Sequence, residues 1–127
     1  MAHEAIIPPG SAPPLAPYSP GVRTGNTIYV SGILSMDAEG NTVGVGDIYS
    51  QTRQVIEAVK SVVEAGGGTL ADVAFNQIFL ANLADYAGMN EVYQEYFCNN
   101  PPARYCIKAE LVKPEFLVEI SSTVHLG

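Results

Sequence analysis

PPARYCIKAELVKPEFLVEI, residues 101–120, opens on a proline pair and then alternates polar and apolar side chains. A period of two belongs to an extended strand, whose successive side chains point to opposite faces. Arg104, Cys106, Lys108 and Glu110 fall on one side; Tyr105, Ile107, Ala109 and Leu111 fall on the other. A Lys113-Pro114-Glu115 turn leads into a second strand. There Leu117, Glu119, Ser121 and Thr123 share one face, and Val118, Ile120, Ser122 and Val124 share the opposite, apolar one. The polar faces thus carry an arginine, a cysteine and a glutamate in a chain with only six basic residues. A guanidinium is a planar fork matched to a carboxylate, and a glutamate can hold or deprotonate a water. The set points to a site for a small carboxylic acid that reacts with water. A sheet with one wet face produces the same alternation with no chemistry, so both readings stay open on these strands alone.

Upstream, residues 75–80 read as a strand and residues 86–97 as a helix. Asp85 stands at the start of that helix, with Met89, Val92, Tyr93 and Tyr96 as its apolar stripe. Residues 48–65 form a stronger helical pattern. Val55, Ile56, Val59, Val62 and Val63 recur at helical spacing, Asp47 can cap the start, and Gly66 stops it. TIYVSGIL, residues 27–34, is a strand by its β-branched and aromatic content. Asp37, Glu39-Gly40-Asn41, Gly44 and Gly46 mark turns around a short strand, and the proline-rich residues 8–20 read as an ordered, extended arm.

This order of elements predicts an α+β fold with one sheet and two helices. Two right-handed crossovers progressing the same way put both helices on one sheet face. The other face must meet solvent or a partner, and TIYVSGIL has apolar residues in both parities. A homo-oligomer packed through the open face is therefore expected.

A chain of 127 residues makes one domain, 1–127, with a real core. Apolar residues at 47% against 15% charged describe a globular chain. A net charge of −7 disfavours nucleic acid and anionic membrane surfaces as partners. No apolar run reaches the length of a membrane span, and the N-terminal stretch lacks the pattern of a secretory signal. Cys98 and Cys106 have no metal-ligand spacing and are too few for a disulfide framework, so a cytoplasmic chain with free thiols is expected.

Other motifs carry less. Gly66-Gly67-Gly68-Thr69 follows a helix and lacks a lysine, so it reads as a helix stop in preference to a phosphate loop. His3 and His125 lack partners at ligand spacing, and no metal is expected. Cys106 is open as nucleophile, hydrogen-bonding thiol or packing filler. Tyr18, between Pro17 and Ser19-Pro20, can offer its hydroxyl to a pocket or simply pack. Ser31-Gly32 is more specific, because a glycine inside a strong strand often marks close approach by a ligand or another backbone.

PLAPYSPGV, YVSG, QTRQVIEAVKSVVEAGGGTLADV, NEVYQEYF, PPARYCI and LVEI, in that order along nearly the whole chain, resemble the Rid (YjgF-type) family of enamine/imine deaminases. Within it, PLAPYSPG, QTRQV, GGTLADVAFN, PARYCI and LVKPEFLVEI look most like the RutC type, the 3-aminoacrylate deaminases of pyrimidine degradation. The resemblance implies a chorismate-mutase-like α+β fold and a homotrimer with sites in clefts between subunits. It assigns Arg104 to the substrate carboxylate, Glu119 to the water and Cys106 to the pocket. Tyr18, Ser31, Gly32 and Asn90 fall on further cleft positions. One departure is Ile33, where many Rid proteins have glutamine after the Ser-Gly pair. The implied reaction is hydrolysis of 3-aminoacrylate to malonic semialdehyde and ammonia without cofactor. Alternatives are a general 2-aminoacrylate or 2-iminoacid deaminase, a non-catalytic trimeric binder or chaperone-like protein, and a ribonuclease or translation inhibitor. The acidic charge counts against the last.

Overall fold

The computed structural model describes residues 2–127. Its strands are β1 (Glu4–Ile6), β2 (Gly21–Thr24), β3 (Thr27–Ile33), β4 (Val73–Leu80), β5 (Ala103–Lys108) and β6 (Val118–His125). Helix α1 spans Ile48–Ala65 and α2 spans Tyr86–Phe97, with one-turn 3-10 segments at Leu70–Asp72 and Leu83–Asp85. The strands make one six-stranded sheet in the order β1-β2-β3-β6-β4-β5. Only β4 and β5 run parallel, joined by the α2 crossover; the other pairs are antiparallel. This is the expected α+β architecture with a mixed sheet.

Helix α1 begins and ends as its sequence dictates. Asp47 Oδ1 accepts from the backbone N–H groups of Tyr49 (3.0 Å) and Ser50 (3.3 Å), satisfying two donors that the first turn leaves free. At the other end Gly67 N–H donates to Glu64 C=O (3.1 Å) and Gly68 N–H to Val63 C=O (2.9 Å), closing a Schellman turn. The left-handed residue is Gly67, at φ +99°, one position beyond the predicted stop. The glycine run is thus a helix terminus, as read.

Both helices cover one sheet face. Ile28 and Val30 of β3, Ile78 and Leu80 of β4, and Val118, Ile120 and Val124 of β6 pack beneath Val55, Ile56, Val59, Val62 and Val63 of α1. Met89, Tyr93 and Phe97 of α2 complete the cluster. Fully buried Gln51 pins the approach to β6. Its Nε2 donates to Glu115 C=O (2.8 Å), and its Oε1 accepts from Leu117 N–H (2.8 Å). A glutamine is tolerated there because both ends of its amide are paired.

Several local expectations are corrected. No local pattern predicts strands β1 and β2, β4 starts two residues before the predicted position 75, and β5 ends at Lys108, leaving Glu110 outside it. The predicted short strand near the Asp37 turn is a single bridge between Met36 and Thr42. The arm over residues 8–20 is not extended throughout, since Ser11 N–H turns back onto Pro8 C=O (3.2 Å). Asp85 does not cap α2 with its side chain. Instead Asn82 caps the 3-10 turn that feeds into α2, accepting from Ala84 N–H (3.0 Å).

The face away from the helices is uncovered in the single chain. Tyr29, Tyr105 and Ile107 are 51%, 41% and 48% exposed there, and Phe75 and Phe79 meet Tyr105 edge-on at 5.7 and 6.2 Å. No helix among the described residues is long and apolar enough to cross a membrane.

Candidate active site in two halves

The sequence-derived residues do not collect in one place: Arg104, Cys106 and Asn90 lie on one side of the sheet, and Glu119 lies on the other beside Ser31 and Gly32. Register decides this. Arg104 of β5 aligns with Asn76 of β4, and Asn76 aligns with Ser122 of β6. Cys106 aligns with Ile78, and Ile78 with Ile120. Laterally aligned residues share a face, so Arg104 and Cys106 lie on the side that the helices cover. Glu119 aligns with Phe79, which aligns with Ile107, and these belong to the open face. Arg104 and Cys106 thus stand apart from Glu119 within a single chain, and one cleft holding all three would have to take them from more than one copy.

The first half lies between β5 and α2. Tyr86, Asn90 and Tyr93 are spaced i, i+4, i+7 and so form one stripe of the helix, turned toward Arg104. Arg104 Nη2 donates to Asn90 Oδ1 (2.7 Å) and to the Tyr86 hydroxyl (3.2 Å). Its guanidinium carbon stands 4.6 Å from the Tyr93 ring centre and 5.8 Å from that of Tyr86. Nε and Nη1 donate to none of the described residues. A half-buried guanidinium is thereby held in place with part of its fork unused, the state that a carboxylate ligand needs. Cys106 follows two residues on and is half-buried. Burial pushes its thiol above the ordinary value of 9.0, and the nearby Arg104 charge offsets this in part. The protonated thiol is the resident form at neutral pH, which suits a hydrogen-bond donor more than a nucleophile.

The second half is built on a bulge. Val30 pairs with Ser122 and Ile33 with Ile120, so Ser31 and Gly32 together face one residue of β6. Ser31 is tied to the proline arm: its hydroxyl donates to Ser19 C=O (2.6 Å) and its N–H to Pro20 C=O (2.9 Å). Gly32 is bare because the Glu119 carboxylate occupies the place where a Cβ would stand. The close approach that a mid-strand glycine signals is thus by a side chain of the neighbouring strand. Burial raises the Glu119 pKa above its ordinary value of 4.5. Tyr18 is not brought to Glu119: with Gly32, Ile33, Met36, and Gln54 and Glu57 of α1 it lines a crevice of about 200 Å³ under the arm, which Glu119 does not line. Ile33, the family departure, therefore faces this crevice and not the Arg104 cage.

Gly32→Ala is expected to displace the Glu119 carboxylate from its present place, because the new methyl takes the same space. The fold should survive, since the atom it meets is the far end of a flexible side chain. A crystal structure of the variant alongside a thermal melt checks this; a Glu119 carboxylate that stays in place in the folded variant would overturn it.

Tyr86 and Tyr93 are neighbours of Arg104 that the sequence pattern does not predict. Their spacing with Asn90 was visible in the sequence, but its meaning depends on which strand lies beneath α2. No trio of His, Cys, Asp or Glu among the described residues is placed to hold a metal ion.

Residues 9–126 match the model of a family described as endoribonuclease L-PSP. Among solved structures, RidA from an Antarctic Psychrobacter species is 31% identical, with a TM-score of 0.90 over 97% of this chain and 99% of that one. The YjgF gene product of E. coli is 27% identical, with a TM-score of 0.88 over 98% and 99%. The Rid-family protein YyfA from Yersinia pestis is 26% identical, with a TM-score of 0.89 over 98% and 100%.

Proposed function

The chain belongs to the endoribonuclease L-PSP family, that of the Rid and YjgF proteins, and from that premise we propose that it hydrolytically deaminates small enamine and imine acids, with 3-aminoacrylate as its substrate. The observation that carries this is Arg104, a guanidinium fixed by Asn90, Tyr86 and Tyr93 with two donor nitrogens left over. A half-buried charge so prepared fits an anionic ligand, and the planar fork selects a carboxylate. The narrower choice of 3-aminoacrylate, and with it a place in pyrimidine degradation, rests on the RutC-type fragments of the sequence.

In this reading the enamine is protonated at C2, giving an iminium at C3. Water adds to C3 as Glu119 takes its proton, forming a carbinolamine. The nitrogen is protonated, ammonia leaves, and the C–O bond becomes the carbonyl of malonic semialdehyde. One water is consumed and one ammonia released. Burial makes Glu119 a stronger base once it is ionised, which favours its role toward water. Cys106, Tyr18 or a water supplies the carbon-bound proton, and the protonated Cys106 thiol beside Arg104 is the best placed. Arg104 and Glu119 occupy opposite sheet faces, which supports a working site assembled between copies; the homotrimer rests on the family resemblance, with the open face as the surface proposed to join it.

Ribonuclease action, which the family's description suggests, fits poorly. Arg53 is engaged by Glu95 at 2.7 Å, and Arg23 by Gly66 C=O at 2.9 Å, so the few cations form no basic stripe. The test of the proposal is to generate 2- and 3-aminoacrylate separately and follow ammonia with and without the protein. Faster release from the 3-isomer alone is expected. Equal or reversed preference would make it a general iminoacid deaminase, and no acceleration of either would leave a binder.

A further inference from the structure

We infer that Tyr93 is a positioning residue, whose ring is the platform on which Arg104 is held for the carboxylate. The inference rests on the carboxylate-clamp reading of Arg104 and adds what keeps the clamp aimed. The Arg104 guanidinium carbon lies 4.6 Å from the centre of the Tyr93 ring, closer than its 5.8 Å to Tyr86. Arginine attracts an aromatic face through the ring quadrupole, most strongly where water is excluded. Tyr93 meets that condition, being only 7% exposed, whereas Tyr86 is 46% exposed.

The ring is itself immobilised. Asn76 Nδ2 donates to the Tyr93 hydroxyl (3.0 Å), and Ser122 Oγ donates to Asn76 Oδ1 (2.6 Å). Asn76 and Ser122 are 0% and 4% exposed, on the central strands β4 and β6. Phe97 backs the ring at 4.6 Å between centres and an interplanar angle of 32°. The hydroxyl is thus moored to the middle of the sheet while the face points at an arginine on its edge strand. A buried polar row of this kind is costly unless fully paired, and its pairing fixes one orientation of the ring. With Asn90 holding Nη2, the platform leaves the guanidinium little freedom to turn away.

The experiment compares Tyr93→Phe, which keeps the ring, with Tyr93→Met, which fills the space without one. Both are measured beside Arg104→Ala for kcat and KM on 3-aminoacrylate, and for binding of propionate, an unreactive carboxylate. Tyr93→Met is expected to raise KM and the propionate Kd about tenfold while kcat changes less than about threefold. Tyr93→Phe should stay within about twofold of the parent in KM and Kd, although its melting temperature falls because Asn76 loses its acceptor. If Tyr93→Met binds propionate like the parent while Arg104→Ala does not, the platform is overturned and the clamp stands. If Arg104→Ala also binds like the parent, the clamp reading itself has failed. If Tyr93→Met does not fold, Tyr93→Phe decides: a tenfold rise in its KM would move the role from ring to hydroxyl and overturn the inference.

Discussion

Arg104→Ala is expected to lower kcat/KM about a thousandfold while the chain still folds. The proposed clamp would give a carboxylate two charge-assisted hydrogen bonds, each contributing about 1.5–3 kcal/mol, so their joint loss would reach roughly 4 kcal/mol. That is about three factors of ten in transition-state stabilisation. The structural cost is smaller. Arg104 sits on β5, the edge strand, and its partner Asn90 is half-buried and can be rehydrated. Losing the contacts with Tyr86 and Tyr93 should cost about 1–2 kcal/mol, a fall of several degrees in melting temperature. Arg104→Lys keeps the charge and loses the fork, so it should recover little of the activity. Ammonia release from the aminoacrylate together with a circular-dichroism melt gives the answer. A loss smaller than tenfold in a folded variant would remove Arg104 from the clamp.

The parts of the fold that the sequence shows are those whose local pattern and tertiary role agree. Helix α1 is readable to the residue because its valine stripe, the Asp47 cap and the glycine stop all say the same thing. Strands β5 and β6 are readable because each has one wet or half-wet face. Strand β1, three residues of sequence EAI, is not, since it exists only through pairing with β2 across a long connection. The site was half legible. Alternation assigns Arg104 and Cys106 to one side of β5 and Glu119 to one side of β6. It does not say which sides correspond. That relation passes through β4, where Asn76 and Ile78 align with Arg104 and Cys106 while Phe79 aligns with Glu119. A shift of one residue in register reverses the answer, so two polar sides that look like one surface can be two. The stripe Tyr86, Asn90 and Tyr93 was hidden for a related reason. In sequence it reads as helix amphipathicity, and it gains meaning only once β5 is placed beneath it.

The separation of Arg104 from Glu119 yields the second large effect, in mixtures of damaged chains. Both lie in one sheet but on opposite faces, with β4 between their strands, so neighbouring strands alone put roughly 10 Å between them laterally. A three-carbon acid cannot touch both from within one chain. If both are needed, each site takes Arg104 from one copy and Glu119 from the next. Arg104→Ala and Glu119→Gln should then each be nearly inactive alone. Unfolded together at equal amounts and refolded, they should regain about a quarter of parental activity, since half the positions supply an intact arginine and, independently, half supply an intact glutamate. Refolding each variant separately and then mixing them should give much less at first, with activity rising only as subunits exchange. The carboxylate on its glycine is no obstacle, because Gln at position 119 keeps the shape that the bare Gly32 accommodates. The open face, with Tyr29, Tyr105 and Ile107 exposed beside Glu119's own side of the sheet, is the surface through which a neighbour would bring its arginine. Activity in the refolded mixture no greater than the sum of the two variants would refute a shared site. The two residues would then have to act separately, and the hydrolysis would need a water-holding group other than Glu119.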